Sequence, residues 1–131
     1  VLDKLFIKII KKQYDIEVVY VVRSVPTMND ATLKEAMDVG IDQVATVIKN
    51  GIDGPLPGTV LKRCSPRVKK LVDQSDLIIS KGGGNFDSLS EEVNNLKTKI
   101  TFMLLSKCQP YNKYFNTNLY QPIFANVFNR F

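Results

Sequence analysis

Leu77-Ile78-Ile79-Ser80-Lys81-Gly82-Gly83-Gly84-Asn85-Phe86 is the stretch that decides the fold. Three large aliphatics in a row make a short strand, and three glycines follow almost at once. Phe86, Leu89, Val93 and Leu96 then recur at helical spacing. A strand that runs through a glycine turn into a helix is the repeating unit of an α/β protein.

The pattern continues outward from this unit. Downstream, Ile100 to Leu105 reads as a further strand. Upstream, Pro66 suits the first turn of a helix through Val68, Leu71 and Val72. The β-branched run from Ile16 to Val22 has little polar alternation, which predicts a strand buried on both faces. Val44 to Ile48 predicts another, ended by Asn50-Gly51 and a loop rich in glycine and proline up to Gly58. Between these two strands, Asn29-Asp30 can cap a short helix through Ala31, Leu33, Ala36 and Met37, with Gly40 as its stop. At the start, Leu2, Leu5, Phe6 and Ile9 form the stripe of an amphipathic helix, and Lys4, Lys8, Lys11 and Lys12 its wet face. Strands alternating with helices indicate an α/β sheet with helices on both faces. Its strand-to-helix loops line one edge, where such folds bind ligands. Beyond Pro110 the periodicity decays, and the aromatics Tyr111, Tyr114, Phe115 and Phe124 are expected to pack within the chain.

Composition narrows the chemistry. The 131 residues fit one ordinary domain, and the net charge of +5 is dispersed, with Arg63, Arg67, Lys69 and Lys70 the densest other group. Such spreading reads as solvated faces, part of which can serve anionic substrates, and predicts no nucleic-acid partner. No apolar run approaches the roughly 20 residues of a membrane span, and the N-terminal stretch lacks a signal-peptide pattern. Cys64 and Cys108 are too few and too far apart for a disulfide framework, so both are expected as reduced thiols of a cytoplasmic protein. The sequence holds no histidine, which excludes imidazole bases and histidine-dependent triads. A metal would have to sit on oxygen ligands, which favours hard divalent ions.

Two loops on the expected ligand edge carry candidate chemistry. In Pro26 to Thr32, Asp30 has two readings: with Asn29 it caps a helix, or it is a carboxylate ligand to a hard cation. In Ser80 to Asn85, the glycines make either a plain turn or a phosphate cradle, to which Lys81 would add a full positive charge. This run is neither a Walker A loop nor a Gly-x-Gly-x-x-Gly dinucleotide fingerprint.

Several motifs taken in order resemble one family. Asp76 to Leu89, with its Lys81-Gly82-Gly83-Gly84-Asn85-Phe86-Asp87 core, is similar to the strand and Lys-Gly-x-Gly-Asn-aromatic-acidic loop of the damage-control (ARMT-like) phosphatases. Val22 to Thr32 resembles that family's basic-x-x-Pro-x-x-Asn-Asp-Ala-Thr segment. Pro57 to Leu61, Cys64-Ser65-Pro66 and the Lys107-Cys108 pair also match in order and spacing, so the likeness covers roughly residues 1 to 108. It implies a three-layer α/β/α sandwich, Rossmann-like, with a mainly parallel sheet. It further implies a metal-dependent phosphatase acting on phosphorylated metabolites such as sugar phosphates, with Mn, Co, Ni or Mg as the divalent ion.

By that resemblance Asp30 and Asn29 are metal-site residues, and Asp30 is also a catalytic carboxylate. Lys81 is catalytic and binds phosphate. Gly82, Gly83, Gly84 and Asn85 complete the phosphate loop, and Arg23 and Lys107 lie near the same pocket. Ser24, Gly83 and Asp87 depart mildly from the family's frequent Gly, Gln and Glu. An Asp-Asn-Ala-Gly-Glu segment in the family immediately precedes a helix like Val1 to Lys12. The resemblance therefore implies that two metal ligands and an N-terminal helical region lie outside the given sequence, with residues 1–131 one α/β domain from the C-terminal portion. The alternative expectation is a non-catalytic module that binds phosphometabolites. Carboxyl methyl transfer lacks support, because no acidic strand end in a glycine-rich context offers an S-adenosylmethionine pocket.

Overall fold

The computed structural model describes residues 1–127. It divides the chain into two compact units, Val1–Leu56 with Arg63–Val68, and Pro57–Lys62 with Lys69–Phe131. The α/β class holds, but hydrogen bonding sorts the strands into a two-stranded and a three-stranded sheet.

In the first unit, helix α1 (Leu2–Gln13) precedes strand β1 (Val19–Val22), helix α2 (Leu33–Asp38) and strand β2 (Thr46–Lys49). β1 and β2 pair in parallel, from Val19 opposite Thr46 to Val22 opposite Lys49. Val22, Ala36 and Ile41 form the buried centre, with Tyr20, Leu33, Val39, Ala45 and Val47 packed around it.

Of the apolar stripe expected to seat α1, Phe6 is half-buried, but the other three residues face outward. Leu2, Leu5 and Ile9 are 80%, 55% and 47% exposed, and Ile7 is the buried residue. The helix carries two apolar faces, and polar partners select one of them. Asp3 Oδ2 accepts a 2.5 Å bond from the Tyr20 hydroxyl. Lys4 Nζ reaches Gln43 Oε1 at 2.8 Å, and Lys11 Nζ reaches the Val44 carbonyl at 3.1 Å. Two of the four lysines read as a wet face are thus docking contacts. Burial, reinforced by Asp3, raises the Tyr20 hydroxyl's pKa.

β1 differs in the same way. Only Val22 is buried, while Val19 and Val21 are exposed, so the described residues cover one face of this strand rather than two. The helix cap also differs from expectation. Thr32, not Asn29 or Asp30, caps α2 through a reciprocal capping box with Glu35. The Thr32 amide donates to Glu35 Oε2 at 2.9 Å, and the Thr32 hydroxyl bond chiefly lowers the Glu35 pKa.

The second unit holds strand β3 (Leu77–Lys81), helix α4 (Gly83–Leu89), strand β4 (Lys99–Leu105), helix α5 (Gln109–Phe115) and strand β5 (Pro122–Val127). Helix α3 (Pro66–Gln74) leads into β3. β3 and β4 run parallel, Leu77 opposite Lys99 through Lys81 opposite Met103, and β5 closes antiparallel on β4. Ile100, Phe102 and Leu104 on β4 are buried, as are Phe86, Leu89, Val93 and Leu96. Those last four were read as one helix; α4 stops at Leu89, and Val93–Asn95 forms a separate 3-10 turn that keeps the same residues inside.

The tail without periodicity thus supplies α5 and β5. β5 is placed by its pairing with β4 and α5 by Phe86, whose ring centroid lies 5.9 Å from Tyr111, 5.4 Å from Tyr114 and 5.0 Å from Phe115. Tyr114, despite its ring contacts, and Phe124 are both exposed, whereas Tyr111 and Phe115 are half-buried. Cys64 is buried and Cys108 exposed, and neither is in a disulfide. Among the described residues no helix is long and apolar enough to cross a membrane.

Candidate functional site

The candidate residues fall on the C-terminal edges of two parallel strand pairs, one in each unit. Each edge has its own construction.

In the first unit, Val22 and Lys49 end β1 and β2 in register, so Arg23-Ser24 and Asn50-Gly51 leave the pair side by side. Arg23 is buried and grips one oxygen of Asp30: Nε to Oδ2 at 2.8 Å, and the second guanidinium nitrogen to the same Oδ2 at 2.7 Å. The Asp30 side chain remains 45% exposed. The capping role is therefore gone from Asp30, and its carboxylate is held by a buried cation instead. Asn29 is exposed beside it. Beneath them, Asn50 is buried, and its Oδ1 accepts from the Ser24 amide at 3.1 Å, the Ser24 hydroxyl at 2.9 Å and the Ile52 amide at 3.1 Å. Ser24 Oγ in turn accepts from the Gly51 amide at 2.7 Å. Asn50 looked like a strand terminator in sequence; it is the hub that fixes this edge. A cleft of about 440 Å³ opens beside it, lined by Ser24, Pro26, Thr32, Leu33, Lys34, Met37 and Lys49.

Asp30 is the sole carboxylate of the Pro26–Thr32 loop, and Arg23 holds one of its oxygens. Hard divalent ions take about six oxygen donors. Among the described residues no group of three acidic or cysteine side chains is placed to hold a metal. These residues alone do not fit a complete metal centre.

In the second unit, β3 runs into the glycine loop and each glycine answers a separate demand. Gly82 adopts φ 88°, ψ 156°, with open space where a side chain would stand, so backbone conformation alone demands glycine there. At Gly83 the reverse holds: a Cβ would lie 2.5 Å from Tyr111 Oη and 2.9 Å from Cε2 of that ring. Gly84 packs against Gly58, its added Cβ falling 3.3 Å from the Gly58 nitrogen. The loop is then braced. Asn85 donates to the Lys81 carbonyl at 2.7 Å and accepts from Thr59 Oγ1 at 2.8 Å, while the Thr59 amide donates to Ser88 Oγ at 2.8 Å. Lys81 is exposed at the strand end. Lys107 is exposed too, four residues beyond Met103, which pairs with Lys81 across β3 and β4. The structure thus joins Arg23 to Asp30 and Lys81 to Asn85 by direct contact, and places Lys107 on the same edge of its unit as Lys81.

Residues 1–122 match the damage-control phosphatase ARMT1-like domain. The chain belongs to that family. It is 40% identical over 110 residues to an uncharacterized protein, MJ0202, of Methanocaldococcus jannaschii, covering 84% of this chain and 35% of that one. It is 30% identical over 117 residues to a damage-control phosphatase of Archaeoglobus fulgidus, covering 89% and 39%. A third relative, the damage-control phosphatase PH1575 of Pyrococcus horikoshii, is 33% identical over 106 residues, covering 81% and 35%. The crystal structure of PH1575 superimposes with a TM-score of 0.80 at 29% identity, over 92% of this chain and 40% of that one. The chain therefore spans between a third and two fifths of the length of these ARMT1-like relatives.

Sequence reading missed Gly58, Thr59 and Ser88 as supports of the loop. Pro57-Gly58-Thr59 stood out as a motif without a role, and the structure supplies one: it carries the bracing hydroxyl. Tyr111 gave no signal, since its place over Gly83 arises only when α5 folds back on Phe86.

Proposed function

We propose that the chain is the phosphate-holding portion of a metal-dependent phosphatase that hydrolyses phosphorylated metabolites such as sugar phosphates in the cytoplasm. Family membership supports the reaction class. The observation that carries the reading for this chain is the braced glycine loop: Gly82 turns the backbone sharply at the end of β3, beside Lys81, and Asn85 and Thr59 hold the turn. α4 has only seven residues, so its dipole is not the argument. A positive side chain and backbone amides fixed before the ligand arrives stabilise phosphoryl oxygens without reorganising.

In this reading Lys81 contacts the phosphoryl group and Lys107 adds a second positive charge on the same strand edge. The glycines let the backbone approach, and Asn85 acts through the loop it braces. Asp30 and the adjacent Asn29 would help to hold the divalent ion, Mn, Co, Ni or Mg, which would supply charge to polarise the phosphoryl group. Arg23 fixes the orientation of the Asp30 carboxylate. The test is to assay the natural full-length protein against p-nitrophenyl phosphate and sugar phosphates, with each metal and without. Lys81→Ala is expected to lower kcat by roughly a hundredfold. Asp30→Asn keeps a hydrogen-bond acceptor for Arg23 but removes its counter-charge, so it is expected to lower stability in part and to abolish metal-stimulated turnover. Full turnover by the Asn variant would remove Asp30 from the metal.

One observation favours a second reading: Asp30 offers a single carboxylate with one oxygen already bound. The chain would then bind phosphometabolites without hydrolysing them. Calorimetry with inorganic phosphate separates the two. Binding to the natural full-length protein without metal, together with no turnover under any metal, supports the second.

A further inference from the structure

The Tyr111–Asp87 pair over the glycine loop is not absorbed by either reading. The Tyr111 hydroxyl donates to Asp87 Oδ2 at 2.8 Å. The same oxygen stands 2.5 Å from where a Cβ on Gly83 would be, so the phenol occupies the space above the loop that a side chain at 83 would fill. Tyr111 is half-buried and Asp87 exposed, so the pair is reachable from solvent. The ring is fixed from behind by Phe86, and the next residue, Asn112, bonds Ser106 through its side-chain amide.

A phenol has one proton and two acceptor lone pairs. Here the proton is committed to Asp87, a carboxylate whose only capacity is to accept. What remains over Gly83 is acceptor capacity alone. A phosphate oxygen placed there would meet lone pairs; a ligand hydroxyl would find a partner.

We propose that Tyr111 is a specificity residue that accepts a hydrogen bond from a hydroxyl on the carbon skeleton of the phosphate ester, and that Asp87 is the positioning residue that keeps the phenol in that role. The class of ligand selected is the polyol or sugar phosphate rather than the plain alkyl phosphate. This inference rests on the loop at residues 81–85 holding the phosphate.

Calorimetry on the full chain with three probes tests it: inorganic phosphate, glycerol phosphate and propyl phosphate. The wild type is expected to prefer glycerol phosphate over propyl phosphate by roughly fivefold, the worth of one net hydrogen bond. Tyr111→Phe keeps the ring on Gly83 and Phe86, and is expected to remove that preference while leaving inorganic phosphate binding unchanged. Asp87→Ala is expected to reduce the preference although the phenol is present. Thermal unfolding of each variant confirms that it is folded. A wild type without the preference, or a preference retained in Tyr111→Phe, overturns the assignment. So does an equal loss for all three probes in Tyr111→Phe, which is what a merely structural role gives. If the wild type binds none of the three, the phosphate-loop reading itself fails, and this inference fails with it.

Discussion

The two strand edges that carry the candidate residues are built in opposite ways. At the end of β1 and β2, buried side chains make the edge: Arg23 is 7% exposed and Asn50 3%, and between them they hold Asp30, Ser24 and the Ile52 amide. At the end of β3, backbone makes it: Gly82 in a conformation open to glycine, Gly84 against Gly58, and an exposed Lys81. A chain that satisfies buried polar groups with side chains couples its site to its stability. A loop of backbone and glycine, braced from outside by Thr59, depends less on buried polar side chains. Substitutions at the first edge should therefore register in unfolding, and those at the second chiefly in binding.

Asn50→Ala is the strongest way to break this contrast. It removes the acceptor of three bonds and leaves the buried Ile52 amide and the Ser24 amide unpartnered. The expected loss is about 2–4 kcal/mol of stability, read as a drop in the denaturant midpoint. A midpoint within error of wild type would mean that the first edge does not depend on its side chains.

Gly82→Ala comes next. No atom lies within reach of the added methyl, so the whole cost is backbone conformation. About 1–3 kcal/mol is expected if the loop keeps its shape. If it relaxes instead, stability stays near wild type and phosphate affinity falls. Unchanged stability with unchanged affinity would show that the φ of +88° is not needed.

What could be read in sequence follows the same division. All four strands read in sequence lie within about three residues of their true ends, because β-branched runs such as Val19–Val22 carry their own signal. The glycine loop was legible for the same reason: its chemistry is contiguous. The face of α1 was not, because Leu2-Leu5-Ile9 and Ile7-Ile10 are equally apolar, and the choice rests on Tyr20, Gln43 and Val44 far along the chain. Nor was the hub at Asn50 or the phenol at Tyr111, since Ser24 lies 26 residues from Asn50 and Asp87 lies 24 from Tyr111. The Thr32–Glu35 box is the exception: its Thr-x-x-Glu spacing was readable, and Asn29-Asp30 drew the eye first.

Alkaline pH sharpens the view of the second edge with a smaller effect. Burial, then the bond to Asp87, pushes the Tyr111 pKa up to about 12, from about 10 in an unfolded chain. A raised pKa means that the folded state holds the proton more tightly. The contribution is fully present below about pH 10 and is lost as pH rises through about 12. Thermal midpoints should therefore fall over that window, less steeply in Tyr111→Phe. Tyr20 titrates later and remains in both proteins, so the difference between the two curves belongs to Tyr111. Superimposable curves would mean that neither burial nor Asp87 holds the phenol's proton in the folded state.

The smallest effect has the opposite sign. Ser80 is buried at the last position before Lys81, and its hydroxyl has no hydrogen-bond partner among the described residues. A buried, unpaired hydroxyl is destabilising, and removing it relieves that cost. Ser80→Ala is expected to be neutral or to stabilise by up to about 1 kcal/mol, with phosphate affinity unchanged. Since β3 places Ser80 and Lys81 on opposite faces, the oxygen lost lies away from the lysine. Lost affinity in a variant that unfolds no earlier would mean that this hydroxyl reaches the ligand side, and that the second edge, like the first, depends on a buried side chain.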